Sequence, residues 1–148
     1  MTSAAAWTPQ TIPWQEISPD GTKYALLEGS REGGLFTYAF FLPSGFWDGA
    51  HWHSTDARII VASGCLYLGH GEHLNTTQAK AYGAGSVLIV PAELRHYDGA
   101  KEATLIIGMA TAPLPNPPAA VLHSLSLPES YGRVAMSGRS CPKPQPAP

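Results

Sequence analysis

The chain has 148 residues, of which 44% are hydrophobic and 14% charged, and its formal net charge is −2. This length suits one domain and is short for two, and the Lys and Arg residues form no cluster that would indicate nucleic-acid or anionic-membrane binding. Soluble domains usually carry about 25% charged residues, so the low charged fraction favours a homodimer or a higher homo-oligomer.

The amino-terminal residues 1–11 are expected to be flexible. They lack the basic start and the roughly 7-to-15-residue apolar stretch of a secretory signal. No segment reaches the apolar length of a membrane-spanning helix, so we expect a cytoplasmic protein with no membrane partner. The two cysteines, Cys65 and Cys141, form neither a disulfide framework nor a Cys-x-x-Cys pair, and Cys65 is expected to be a buried free thiol.

From Ile12 to Ala110 the sequence is a series of short β-like runs separated by glycine and proline, with no sustained helical period. The predicted strands, in chain order, are 23–27, 35–42, 50–53, 58–62, 65–69, 78–82, 86–90, 95–98 and 104–110. Turn signals such as Pro19-Asp20-Gly21 lie between them. Many short strands at this spacing predict an all-β barrel or sandwich spanning residues 12–112.

The composition changes after Ala112, where nine of the fourteen prolines lie. Residues 113–140 are expected to form an extension that packs on the barrel or on a partner subunit. Residues 141–148 are predicted to be a disordered Pro-rich tail.

Three histidines are the main candidates for a metal site. His51 and His53 lie one residue apart in a β-like run, where alternate side chains point to the same face, and His96 follows a second glycine-proline run. Any one of them alone is more often a satisfied core residue. Together, three imidazoles are a sufficient protein-ligand set for a catalytic divalent metal, with the open positions left to water or substrate.

The spacing around these histidines defines two sequence blocks. The first, from Gly45 to Gly64, reads G-x5-H-x-H-x3-A-x6-G, and the second, from Gly85 to Ala100, reads G-x5-P-x-E-x2-H-x3-A. They resemble the two signature motifs of the cupin family, G-x5-H-x-H-x3-E-x6-G and G-x5-P-x-G-x2-H-x3-N. The resemblance covers just over a third of the chain. It implies a small single-domain cupin of the cupin-2 or ChrR-like kind: a double-stranded β-helix, or jelly-roll barrel, with further amino-terminal strands.

The sequence departs from the cupin pattern at three positions. Ala57 stands where the family has its glutamate ligand, Glu93 replaces a glycine, and Ala100 replaces an asparagine. Without the ligand carboxylate, the net charge of a divalent site rises from +1 to +2 and a coordination position is freed. Glu93 is a candidate substitute carboxylate, since it lies in the turn before His96.

A +2 site with a free position favours substrates that chelate as anions, such as enolates and β-dicarbonyls. The resemblance to three-histidine dioxygenases among the cupins implies Fe(II) as the metal and oxidative cleavage of a small dicarbonyl or enol. With Zn²⁺ or Ni²⁺ the same ligands would support a lyase, isomerase or hydrolase, and Mn²⁺ is a further candidate metal for the site. That chemistry needs a proton carrier, for which Glu93, Tyr82 and Tyr38 are the candidates. The third alternative is a non-catalytic cupin that binds a small ligand.

The candidate substrate pocket consists of Phe40, Trp47, Ala57 and Arg58. Core packing is the favoured interpretation of the two aromatic residues. Arg58 points outward by strand parity, although a β-bulge there would turn it towards an anionic substrate. His70 and His73 are interpreted as exposed loop residues.

Overall fold

The computed structural model of the protein describes residues 3–112 and residue 141, and these contain ten β-strands and no helix. The strands are β1 (Glu16–Ile17), β2 (Lys23–Gly29), β3 (Gly34–Leu42), β4 (Trp47–His51), β5 (Ala57–Ser63), β6 (Cys65–His70), β7 (Lys80–Gly83), β8 (Val87–Val90), β9 (His96–Ala100) and β10 (Thr104–Ala112). They form two antiparallel sheets, the first in the order β1-β2-β3-β10-β5-β8 and the second in the order β4-β9-β6-β7. This is the predicted all-β jelly-roll architecture.

One apolar cluster joins the inner faces of the two sheets. Alternation places Ala57, Ile59 and Val61 of β5 on the inner face, where each is buried. Residues from both sheets complete the cluster, including Leu42, Phe46, Leu66, Leu68, Leu88, Val90, Ala100 and Ile106. Burial of this inner face holds the two sheets together.

The outer faces of both sheets carry smaller apolar clusters. On the second sheet, Trp47, Tyr67 and Tyr97 pack around Cys65, with the half-buried Cys141 against them. On the first sheet, a cluster built on Ile12, Ala25, Ala39 and Leu105 includes the amino-terminal segment. The barrel is therefore covered on part of both outer faces.

The expectation of a free thiol at Cys65 is wrong, because Cys65 and Cys141 form a disulfide. Cys65 begins β6 with its side chain on the outer face, and the two Cα atoms are 5.9 Å apart, within the usual range for a disulfide. The cysteines are 76 residues apart in sequence, so only the folded arrangement reveals the pairing. Residues 113–140 and 142–148 lie outside the described residues, and the predictions made for them stay predictions.

The predicted strands match the observed order, with differences at their ends. The two-residue strand β1 was not predicted, and β4 covers Trp47–His51 instead of 50–53. The register of β4 against β9 also shifts between Asp48 and His51. His53 therefore lies beyond the end of the strand. The alternation of side chains expected for His51 and His53 does not determine which way the His53 side chain points.

Candidate metal centre

The structure brings the three predicted histidines together at the inner face of the second sheet. His51 ends β4 and His96 begins β9, and the two residues are direct cross-strand partners. Their ring centroids are 4.3 Å apart, and the ring of His53 is 5.1 Å from that of His51 and 5.0 Å from that of His96. One nitrogen from each ring lies within 4.8 Å of the others. The predicted three-histidine group is confirmed, and it could hold a metal ion.

Two of the rings are held in the tautomer that leaves Nε2 free to bind a metal. Nδ1 of His51 lies 2.7 Å from the carbonyl oxygen of Gly49, and Nδ1 of His96 lies 2.9 Å from that of Leu94. A carbonyl oxygen only accepts hydrogen bonds, so both Nδ1 atoms carry the proton and donate it. Each Nε2 then keeps its lone pair for a metal, the arrangement that backbone carbonyls commonly impose on ligating histidines.

Electrostatics also favour a neutral imidazole at His96. Only 1% of His96 is exposed. Burial lowers the pKa of His96 below its ordinary value, and the neighbouring His51 lowers it further. A neutral ring is the form that binds a metal, so the buried position prepares His96 for ligation.

Backbone contacts between the two sequence blocks fix the loop that carries His53. The amide of Glu93 donates to the carbonyl oxygen of His53 at 2.8 Å, and the amide of Ala92 donates to Asp56 Oδ1 at 2.9 Å. These bonds tie the turn before His96 to the segment after β4. Residues distant in sequence are thereby held in one group.

Glu93 contributes its backbone to this arrangement. It has φ 63°, the left-handed region that glycine adopts without steric cost, and its side chain is exposed. The glycine of the cupin motif at this position is explained by the same geometry. Among residues 3–112 and 141, the group of potential ligand atoms comprises the three histidines and does not include the Glu93 carboxylate. The structure does not support Glu93 as a substitute ligand.

Other predicted site residues face the barrel interior. Ala57 is buried in the main apolar cluster and offers no ligand atom, while Phe40 and Tyr82 are half-buried against the same cluster. Tyr82 is the cross-strand partner of Leu66 and therefore points inward beside it. These positions are compatible with a pocket wall as well as with core packing.

The structure places Trp47 and Arg58 away from the histidines. Trp47 is 1% exposed on the outer face of the second sheet, with its ring 6.0 Å from that of Tyr67. It covers Gly99, where any Cβ would collide with the Trp47 ring. Arg58 is exposed on the face of β5 opposite the buried Ala57, as its parity predicted. Neither residue lines the interior, which corrects their assignment to a substrate pocket.

Tyr38 projects into the interior from the first sheet. Its ring lies against Gly108, where a Cβ would overlap it, and stacks on Tyr24 at a centroid distance of 5.7 Å. Burial raises the pKa of Tyr38 well above its ordinary value, and the negative charge of Asp98 adds to the effect. Tyr38 therefore acts as a hydrogen-bond donor at neutral pH and not as a base.

Two interior carboxylates were missed in the sequence. Asp48 of β4 and Asp98 of β9 are direct cross-strand partners, and Asp48 Oδ2 is 3.5 Å from Nδ1 of His51. Asp98 lies two residues after His96 in the same strand, so strand alternation in the sequence would have predicted that both side chains share one face. Asp48 lies three residues before His51 and would face the opposite side of a regular strand. Only the register shift in β4 brings it to the same face.

Burial and Asp98, in that order, raise the pKa of Asp48 to about 7, and the nearby His51 acts in the opposite direction. A carboxyl group with such a pKa exchanges protons near neutral pH. Asp48 is therefore a candidate proton carrier beside the histidines, and it is none of the three predicted from the sequence.

His70 is closer to the site than expected. It is the last residue of β6 and the cross-strand partner of His96, so it lies on the same face of the sheet. Its side chain is exposed, as predicted, and so is that of His73. His70 is not one of the grouped ligands.

Comparison with known proteins identifies the fold. No protein-family model and no curated protein matches the chain. Among solved structures, an RmlC-like cupin from Shewanella frigidimarina has a TM-score of 0.58 at 16% identity, and covers 75% of this chain and 93% of its own. A cupin superfamily protein from Desulfitobacterium hafniense has a TM-score of 0.55 at 15% identity, with coverages of 67% and 84%. KdgF from a Halomonas species has a TM-score of 0.57 at 15% identity, with coverages of 74% and 95%.

None of the described residues belongs to a helix with the length and apolarity needed to cross a bilayer.

Proposed function

We propose that this chain, which has the fold of a small cupin, binds one divalent metal through His51, His53 and His96 and is an enzyme acting on a small chelating molecule. The observation that carries the proposal is the preorganised set of imidazoles, with Nδ1 of His51 and of His96 each donating to a backbone carbonyl. Fixing the tautomer before a metal arrives lowers the cost of binding it.

The reaction we propose is Fe(II)-dependent oxidative cleavage of a dicarbonyl or enol substrate. Fe(II) would activate O₂, which oxidises the substrate and leaves both of its oxygen atoms in the cleavage products, and would supply a charge that stabilises an enolate. Ala57 is buried and offers no ligand atom, so a substrate would be free to chelate a metal where the cupin motif has a carboxylate. Tyr38 can donate a hydrogen bond to a substrate oxygen, and Phe40 and Tyr82 can exclude water from the apolar side.

A second candidate is supported by Asp48. A carboxyl group with a pKa of about 7, 3.5 Å from a ligand histidine, suits general acid–base chemistry. With Zn²⁺, Ni²⁺ or Mn²⁺ the site would then serve a lyase, isomerase or hydrolase of a small carbonyl compound.

Oxygen consumption separates the two candidates. Protein reconstituted anaerobically with Fe(II) is mixed with a panel of β-dicarbonyls and α-keto acids, and O₂ uptake is compared with substrate loss. The dioxygenase predicts equimolar consumption, no turnover without O₂, and none in His96→Ala. Turnover that persists anaerobically would reject the dioxygenase in favour of the acid–base alternative.

Ala57→Glu is the variant that tests substrate chelation at the free vertex. A glutamate there would complete a four-ligand site, raise metal affinity and slow turnover by about tenfold or more. Even changes to the groups that hydrogen-bond to metal ligands typically alter activity on this scale. Ala57→Ser, which adds a polar atom without a carboxylate, is the matched control. Unchanged turnover in Ala57→Glu with metal bound would argue against chelation at this position.

We also propose that the protein is a homo-oligomer. The low charged fraction supports a homodimer or higher homo-oligomer, which light scattering of the purified protein would test. The cytoplasmic location expected from the sequence is opposed by the disulfide between Cys65 and Cys141, because such bonds are uncommon in reducing compartments. Thiol labelling of the protein in intact and lysed cells would decide the matter.

A further inference from the structure

The inner face next to the histidines carries negative charge from two carboxyl groups. Asp48 and Asp98 face each other across β4 and β9 as cross-strand partners. Asp98 acts electrostatically on Asp48, on His96 and on Tyr38, so it lies among all three. Asp98 therefore lies within electrostatic range of both the histidine group and Tyr38.

Two buried polar atoms in this part of the barrel have no hydrogen-bond partner among the described residues. Asp48 Oδ1 is buried and has no hydrogen-bond partner among the described residues, and the Asp48 side chain as a whole is 14% exposed. The hydroxyl of Tyr24, which stacks on Tyr38, is likewise buried without a partner. A buried acceptor without a donor is costly, so these atoms call for a ligand group or for water.

These carboxyl groups change the charge that a substrate meets. The alanine at position 57 removes the ligand carboxylate and would leave a three-histidine divalent site at +2. Asp48 and Asp98 return negative charge to the same cavity, outside the ligand set. A purely anionic substrate is attracted by the metal and repelled by the pair, since charges in a poorly solvated interior interact strongly.

We propose that the substrate is zwitterionic, with an anionic oxygen chelate for the metal and a protonated amino group that binds Asp48 and Asp98. An ammonium group supplies three donors and one positive charge, so it can donate hydrogen bonds to both carboxyl groups, including the unpaired Asp48 Oδ1. This inference rests on the proposed function, and it narrows the substrate class to amino-bearing carbonyl compounds. A matching anionic compound would leave the carboxyl pair unpaired, which gives the site selectivity.

Three hydroxamic acids with one chelating head test the proposal. Propionohydroxamic acid is uncharged beyond the chelate, β-alanine hydroxamic acid adds an ammonium group, and the monohydroxamic acid of succinic acid adds a carboxylate. Their affinities for the Ni(II)-loaded protein are measured by isothermal titration calorimetry. We expect the ammonium compound to bind about tenfold tighter than the uncharged one, and the carboxylate compound to bind weakest, as charge-assisted hydrogen bonds require.

Asp98→Asn and Asp48→Asn test which residues produce the preference. Each should lower the ratio of the affinity for the ammonium compound to that for propionohydroxamic acid by about tenfold, because Asn removes both the attraction for the ammonium group and the repulsion of the anionic chelate. Glu102→Gln, which removes one charge from an exposed turn, is the control and should leave the preference unchanged. Metal content and thermal melting of every variant confirm that the site and the fold persist.

The wild-type measurement decides the proposal even if a variant fails to fold. Equal binding of the three compounds to the metal-loaded wild type would overturn this inference alone, because the metal site would be intact. Binding of none of them would overturn the proposed function and this inference with it. A preference that survives both Asp→Asn substitutions would also contradict the assignment.

Discussion

The two ends of the barrel interior differ sharply in chemistry, although they share strands. Along β9, His96, Asp98 and Ala100 all face inward, and within these five residues the environment changes from imidazoles and carboxylates to the apolar cluster around Leu66. The apolar end joins the two sheets, and the polar end gathers groups that are costly to bury. The comparison indicates that stability and chemistry are separated along the barrel axis, so substitutions at one end should largely spare the other.

His96→Ala should show the largest effect on the polar end. Loss of one of three ligands, and of the ring whose Nδ1 is held by Leu94, should lower metal affinity by at least about 100-fold. The apolar cluster is unchanged, so the variant should still fold. Calorimetric titration with Co(II), together with circular dichroism, checks both statements. Metal binding that survives the substitution would place the site elsewhere.

Leu66→Ala, at the apolar end, should lower stability and leave metal binding intact. Leu66 is 1% exposed, and truncating such a residue lowers the free energy of unfolding by about 2–5 kcal/mol. The folded fraction should bind metal with nearly wild-type affinity. Urea denaturation and metal titration of the same sample test the separation, which would fail if both properties fell together.

Asp48→Asn should have a smaller effect that depends on pH. The pKa of Asp48 is raised from 3.8 to about 7 in the folded protein, so the folded state holds this proton more tightly than the unfolded state does. The resulting stabilisation is complete below the unfolded pKa and is lost as pH rises through about 7. In metal-free protein, Asp48→Asn should therefore be more stable than wild type by about 1–4 kcal/mol near pH 8, with little difference near pH 4.

The control for this prediction is the same pair of proteins with metal bound. A cation beside Asp48 compensates its charge, so the advantage of Asn should shrink. An equal change in melting temperature at both pH values would show that Asp48 does not carry a buried charge at neutral pH.

Glu93→Gly should have the smallest effect of the four. The residue has φ 63° and an exposed side chain, so glycine should change the free energy of unfolding by no more than about 1 kcal/mol, in the stabilising direction if relief of φ dominates. Metal affinity and turnover should stay at wild-type values. A large loss of turnover would restore Glu93 as a catalytic group.

The sequence predicted the features that depend on local pattern and motif spacing. Alternation located most strands, and the two motif blocks identified His51, His53 and His96 as one group. Alternation failed where the backbone is irregular: the register shift in β4 turns Asp48 inward and leaves Trp47 on the outer face. The bond between Cys65 and Cys141 depends on a contact between distant segments, which no local pattern encodes.

Metal stoichiometry of the purified protein is the most direct test of the central claim. Elemental analysis after incubation with Fe(II), Co(II), Ni(II) or Zn(II) and removal of free metal should give about one metal ion per chain for the wild type and almost none for His96→Ala. Less than about one tenth of a metal per wild-type chain with every ion would contradict the metal centre, and would favour a cupin that binds a small ligand without a metal.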